Sequence, residues 1–329
     1  MTPAKLSAYL DQFLSTRRTM AEADPHFDAF HRRLLRHKEK LLRNFLAFWK
    51  KQGCPWPIRS QIVFDWITVS GHPEHPYRDQ HHFYTLRAFL QQLRTFEPET
   101  EVPESPLHFR RPRRRPYIFS ECELVRLMRA TKRLRLFDQF RVATIRTLIG
   151  LLASAGLRIG EALRLKLEDL RLAANPPYLV IRDTKFGKSR NVVLHPTVRD
   201  HLRKYMSERA RILGARRVDV FLTNRMGKRL NYSSQHLMFG RLLRRAGIRA
   251  ISGQRRPCLH SFRHTFAVRR LTQWHRDRKN VQELLPHLSV YLGHIGPAST
   301  YWYLTATPEL LQTAARSFER QQNQGGRSK

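Results

Sequence analysis

Apolar positions in the first hundred residues recur at helical rather than alternating intervals. Across 27–51 the pairs Leu34/Leu35, Leu41/Leu42, Phe45/Leu46 and Phe48/Trp49 recur at helical spacing with Arg and Lys between them. That spacing predicts an amphipathic helix with one apolar stripe. Leu6, Leu10, Phe13 and Leu14 predict a shorter helix before it, and two more follow around 62–69 and 83–96. Breaks at Asp24-Pro25, 53–57 and 71–76 separate the four, because Gly and Pro interrupt helical hydrogen bonding. The pattern predicts a four-helix bundle with a basic outer face over residues 1–98.

The periodicity then stops. Residues 97–116 hold five prolines, and Arg110, Arg111, Arg113, Arg114 and Arg115 close the stretch. A Pro-rich, charged segment without apolar period reads as a linker, placed at 99–116. Its arginines suit a strap across a phosphate backbone, or form only a solvated hinge. A second domain, 117–329, opens at Ser120-Glu121-Cys122-Glu123, which has capping-box spacing ahead of Leu124, Val125, Leu127 and Met128. An apolar helix is expected over 142–152. Two short strands are expected at 178–182 and 191–194, around the Phe186-Gly187 turn. The remainder reads as helix. The fold class is therefore mainly α, with one small antiparallel sheet in the second domain.

Composition narrows the partner. The 329 residues carry 61 Lys plus Arg against 26 Asp plus Glu, a formal net charge of +35, and 41% are hydrophobic. The apolar fraction supports a true core, and the length suggests two of them. A surface this positive attracts polyanions. Its basic residues are spread along the chain rather than set beside one amphipathic anchor, which favours nucleic acid over a membrane. No run approaches a membrane span, and the first residues lack a signal-peptide core. Cys54, Cys122 and Cys258 are too few and too scattered for a disulfide framework or a CxxC metal site. A cytoplasmic, nucleoid-associated protein is expected, with no membrane partner.

Candidate chemistry concentrates in four segments: AGLRIGEALRL with Arg158, DTKFGKSRNVVL with Lys185, LHSFRHTFAV with His260 and Arg263, and YLGHIGPASTYWYL with His294 and Tyr303. Arg158 lies in an apolar stretch where an unpaired guanidinium is costly. It is either an ion-pair partner of Glu161 or a planar fork for a phosphate's two oxygens. His260 and Arg263, three apart, share a helix face. His260 and His264 have zinc-ligand spacing, but no neighbouring Cys or carboxylate cluster completes such a site, so no metal is expected. Lys185 and Lys188 both suit a solvated hairpin tip. His294 and Tyr303 are nine apart, on opposite sides of any continuous helix; Gly293 and Gly296-Pro297 break that helix and let the two converge. Tyr301 rivals Tyr303 but stands about 200° around a helix from it, so only one can face the arginines.

In order and spacing these motifs resemble those of the tyrosine recombinases, the phage integrase family, over residues 117–311, and more loosely the N-terminal bundle resembles that family's core-binding domain. The closing TYWYLTATPEL is nearer to recombinases of transposons and related mobile elements. The resemblance implies a site-specific recombinase that cuts and rejoins double-stranded DNA. It implies Arg158 and Arg263 as phosphate clamps, Lys185 as the general acid on the departing 5′-oxygen, His260 and His294 in the same cage, and Tyr303 as the nucleophile of a 3′-phosphotyrosyl link. The surrounding arginines are expected to favour the phenolate. No cofactor is implied. Four protomers on two duplexes are, with room for accessory or sister recombinases. Residues 308–320 are either an arm reaching a neighbouring protomer or a last helix packed in cis. Two alternatives share the motifs or the charge: a nicking-closing topoisomerase, and a non-catalytic basic DNA-binding protein.

Overall fold

The computed structural model describes residues 1–23, 29–70, 76–104, 115–133, 138–182, 189–250, 254–294 and 298–306. The chain divides into two compact units, Met1–Arg113 and Arg114–Lys329.

Among its described residues the first unit holds four helices: α1 Pro3–Glu22, α2 Ala29–Lys51, α3 Ser60–Ser70 and α4 Pro76–Phe96. Their apolar stripes meet in one core. Leu6, Leu10 and Phe13 come from α1, Leu41, Leu42, Phe45 and Trp49 from α2, Val63 and Trp66 from α3, and Phe83, Leu86, Phe89, Leu90 and Leu93 from α4. The two indoles are buried with their N–H groups satisfied. Trp49 donates to the Pro55 carbonyl at 3.0 Å and Trp66 to Asn44 Oδ1 at 2.9 Å. α4 starts at Pro76, a turn and more before the apolar period begins at Phe83, because proline at a helix start removes only an N–H that has no intrahelical partner. Beyond α4 the chain stays attached to the bundle. Glu101 donates its N–H to the Ile58 carbonyl at 2.9 Å, Arg87 Nε donates to the Pro103 carbonyl at 2.9 Å, and Thr100 is buried.

The second unit is eight helices and one small sheet among the described residues. α5 Glu121–Lys132 begins with the expected capping box, in which Ser120 Oγ accepts from Glu123 N–H and Glu123 accepts from Ser120 N–H. α6 Gln139–Ala155 is the central apolar helix, and α7 Ile159–Arg164 follows after a left-handed turn at Gly156. The sheet is β1 Leu170–Arg171, β2 Tyr178–Ile181 and β3 Arg190–Val193, in that order and antiparallel, with Leu170 opposite Leu179 and Ile181 opposite Arg190. The sequence pattern showed β2 and β3. The two-residue β1 is too short to carry a period. α8 Pro196–Leu213, α9 Tyr232–Arg245, α10 Ser261–Arg276, α11 Val281–Leu292 and α12 Ala298–Ala306 complete the unit. Two buried clusters support it, one around α6 and the sheet, the other joining α10, α11 and Tyr303 of α12. Among the described residues no helix is long and apolar enough to cross a membrane.

Candidate active site

Two guanidinium groups define the site, and each is oriented by a helix that ends in a left-handed glycine. Gly156 closes α6 at φ +61° and its carbonyl accepts from Arg263 Nη1 at 3.0 Å, while Arg263 Nη2 donates to the Leu292 carbonyl at the end of α11. Gly293 closes α11 at φ +68° and its carbonyl accepts from Arg158 Nη2 at 2.8 Å. A side chain at either glycine would be strained by its φ, and there is no space for it. A Cβ at 156 would fall 2.6 Å from the Phe266 ring, and one at 293 would fall 2.8 Å from Arg190 Nη1. Arg263 is fully buried and makes no ion pair among the described residues. Burial first, then the neighbouring Arg158, pulls its pKa down to about 10, which leaves it charged at neutral pH.

Arg158 does form the ion pair with Glu161, Nη1 to Oε1 at 2.7 Å. Glu161 is shared: Arg190 reaches it from β3 at 2.8 Å and also donates Nε to the Tyr291 carbonyl at 2.7 Å. Burial acts to raise the Glu161 pKa, but the hydrogen bond and charge of Arg190, with Arg158 behind them, bring it to about 2. A carboxylate held ionised between two guanidiniums fixes both planes. Arg190 thus ties β3 to α7 and to the end of α11. It was not singled out in the sequence, where a basic residue at a strand start after a turn gives no local signal of burial.

His260 stands at the start of α10 and Arg263 in its first turn, as their spacing required. Although its ring remains accessible to solvent, His260 is crowded enough that desolvation, then Arg263 and Arg158, holds it down to about 4. His294 directly follows Gly293, and its Nδ1 lies 2.7 Å from the buried Thr300 hydroxyl. Burial, Arg263 and Arg158 lower it to about 4. Tyr303 comes from the separate helix α12 and its ring stacks toward His294 at 6.4 Å and 18°. The two tyrosines differ sharply in burial: Tyr303 is 3% exposed and Tyr301 is 46% exposed.

One expectation holds only in part. Arg263 and Arg158 do pull the Tyr303 phenol toward ionisation, but burial outweighs them and its pKa is raised. The arginines here offset desolvation rather than overcome it. A further contact was missed. His264, seen in the sequence only as half of a zinc-like pair, places Nδ1 2.9 Å from the Tyr303 hydroxyl. Of the remaining predicted residues, Lys185 lies outside the described residues, as do Arg110, Arg111, Arg113 and Arg114, and residues 308–320. Arg115 is described. Its side chain is exposed and its carbonyl accepts from Arg255 N–H at 3.0 Å, on the segment that leads to His260. Among the described residues no group of three His, Cys, Asp or Glu is arranged to hold a metal ion.

Two arginines, three imidazoles and one buried phenol drawn from four helices and the turns beside them are brought together in one cage. Known proteins share this architecture. The phage integrase family profile matches residues 118–307. A Sinorhizobium fredii protein named as an integrase/recombinase, y4rB, is 36% identical over 87% of this chain and 91% of its own length. Tyrosine recombinase XerC of Azotobacter vinelandii is 31% identical over 54% of this chain and 56% of its own. Among solved structures, the XerH site-specific recombinase bound to its palindromic difH substrate has the same fold, with a TM-score of 0.66 at 19% identity over 87% of this chain and 80% of that one. The chain belongs to the phage integrase family, the tyrosine recombinases, which are DNA strand-transferring enzymes.

Proposed function

We propose that this protein is a site-specific recombinase that cuts and rejoins duplex DNA through a 3′-phosphotyrosyl intermediate, in the integration, excision or transposition of a mobile element. The observation that carries the reading is the burial of Tyr303, rather than Tyr301, beside Arg158 and Arg263. The scissile phosphate would sit between those two guanidiniums, which also neutralise the extra charge of the pentacoordinate transition state. Tyr303 Oη attacks phosphorus as its proton passes to solvent water, the Oη–P bond forms, and the P–O5′ bond breaks. Lys185 supplies the proton that the departing 5′-oxygen takes up. A 5′-hydroxyl from a partner duplex then attacks the same phosphorus, restoring a P–O5′ bond and releasing the tyrosine. The phosphodiester energy is kept in the covalent link, so the exchange needs neither ATP nor a resident metal.

In this reading residues 1–98 are the core-binding domain, 99–116 a linker with its arginines on the DNA backbone, and 117–329 the catalytic domain. Two duplexes and a homotetramer make the working assembly, in the nucleoid. Excess positive charge supports the DNA partner, and affinity should fall steeply as salt rises.

The test is to trap the full chain on a library of nicked duplexes under denaturing conditions and map the nucleotide-bearing residue by mass spectrometry. A 3′-phosphonucleotide on Tyr303 is expected, absent from Tyr303→Phe and undiminished in Tyr301→Phe. Attachment at Tyr301 would overturn the assignment. Transfer of a labelled strand between two marked duplexes separates recombination from simple nicking and closing.

A further inference from the structure

The assigned site leaves one of its closest contacts without a role. His264 lies in the first helical turn of α10, next to Arg263 and one turn beyond His260, so a single helix delivers three side chains to the same place. Its ring is immobilised on three sides. His260 packs edge-on at 4.6 Å and 89°, Trp302 at 5.8 Å and 62°, and Tyr303 at 5.5 Å and 60°. Within that cage Nδ1 and the Tyr303 hydroxyl oxygen are 2.9 Å apart.

The protonation of this pair follows from its surroundings. Burial, then the charges or ring dipoles of His260, Arg255, Arg263 and His294, holds His264 down to about 3, so the ring is neutral at pH 7. The phenol, raised by its own burial, keeps its proton. A neutral imidazole and a protonated phenol at this distance form one hydrogen bond, and with the ring proton on Nε2 the phenol donates and Nδ1 accepts. The phenol has two rotatable positions for its hydrogen in the plane of the ring, and an acceptor on one side selects between them. It also keeps the oxygen's lone pairs directed away from His264.

We propose that His264 is a further residue of the catalytic machinery, which holds the nucleophile by accepting the Tyr303 hydrogen bond at Nδ1 and so fixes the direction in which the phenolic oxygen meets phosphorus. This rests on Tyr303 being the nucleophile. Burial, with neighbouring groups that include Arg263, keeps His264 neutral, so the orienting bond is present before DNA arrives and need not be assembled during the reaction. Placement of a reacting oxygen within a fraction of an ångström is worth orders of magnitude in rate.

The experiment is a single-turnover measurement of covalent adduct formation on a nicked duplex chosen from the trapping assay, with DNA affinity and thermal melting measured on the same samples. His264→Phe retains the ring packing and removes the acceptor. It should slow adduct formation by about 10- to 100-fold, the equivalent of one hydrogen bond to a buried group, with DNA affinity within about twofold of the parent. His264→Asn places Oδ1 close to the position of Nδ1 and should recover the rate to within about fivefold of the parent, which a purely structural role for the imidazole ring would not produce. The inference is overturned if His264→Phe forms adduct at the parental rate, or if His264→Asn is as slow as His264→Phe while both melt like the parent. Should either variant melt early, comparison of rates per folded molecule between the two decides it in the same way. An adduct that persists in Tyr303→Phe would sink the assignment of the nucleophile and this inference together. An adduct confined to Tyr303 but indifferent to every His264 variant would sink this inference alone.

Discussion

The two units of this chain solve the problem of burial in opposite ways. In the helical bundle the buried polar side chains among the described residues are Thr85 and Thr100, and its charges stay outside. In the second unit Glu161, Asp169, Arg209 and Arg263 are all buried. Charge in an interior is costly unless it is hydrogen-bonded and paired, so a fold that retains four such groups has a use for them. Burial of an arginine does not by itself mark chemistry. Arg209 spends its guanidinium on the carbonyls of Val218, Val220 and Phe221 and serves to hold that segment. Arg263 differs because a second guanidinium, three imidazoles and a phenol converge on it. The lesson is that the bundle buries almost only apolar groups, whereas the second unit also buries charges and gathers several of them in one cage.

That contrast can be broken or sharpened by substitution. The largest effect on stability should come from the bundle. Trp66→Ala removes a buried indole that packs on Phe45 and leaves Asn44 Oδ1 without its donor, and should lower the unfolding free energy by about 3–5 kcal/mol in urea titration. A loss below about 1 kcal/mol would mean that the apolar stripes are not what holds the bundle. Next comes Arg263→Lys, which keeps the charge but cannot bridge the Gly156 and Leu292 carbonyls with a planar fork. Covalent adduct formation should fall by about 10²- to 10³-fold, and parental rates would show that the cage needs charge alone.

A third effect is acid sensitivity of the cage in the second unit. His264 and His294 are held at about 3 and about 4, below the ordinary 6.5, so the unfolded chain binds more protons than the folded one across that interval. Their contribution is whole above pH 6.5 and is lost as pH falls toward 4 and 3. Glu161, held at about 2 against 4.5, adds a further loss between those values. Amide hydrogen exchange in α10 and α12 should therefore speed up, after correction for intrinsic rates, as pH drops from 7 to 4. Unchanged protection would contradict the cage. The smallest effect is Ser120→Ala, which removes one half of the capping box of α5 and should cost about 1 kcal/mol in the same urea titration, with adduct formation unaffected.

Much of this was legible in the sequence, for identifiable reasons. The helices of the bundle announce themselves because their apolar residues obey one period, and α5 because Ser120 and Glu123 cap it locally. Helical geometry allows only one of Tyr301 and Tyr303 inward and the family resemblance chooses Tyr303, while the breaks at Gly293 and Gly296-Pro297 implied that His294 and Tyr303 sit on different elements. What could not be read depends on partners far apart in the chain. Arg190 meets Glu161 across 29 residues and Tyr291 across 101, and no local pattern encodes either. The same holds for His264 and Tyr303, 39 residues apart. The net acidity of the phenol is hidden for a related reason. Nearby arginines are visible in a sequence, whereas the depth of burial that outweighs them is a property of the assembled α10, α11 and α12.

The two left-handed glycines have a consequence for how this enzyme tolerates change. Gly156 and Gly293 have no side chain to offer a substrate, yet their carbonyls are the rests on which both guanidiniums lie. A screen for inactive clones should therefore return substitutions at 156 and 293 beside those at the arginines themselves, as lesions that bend the support and leave every reactive group in place.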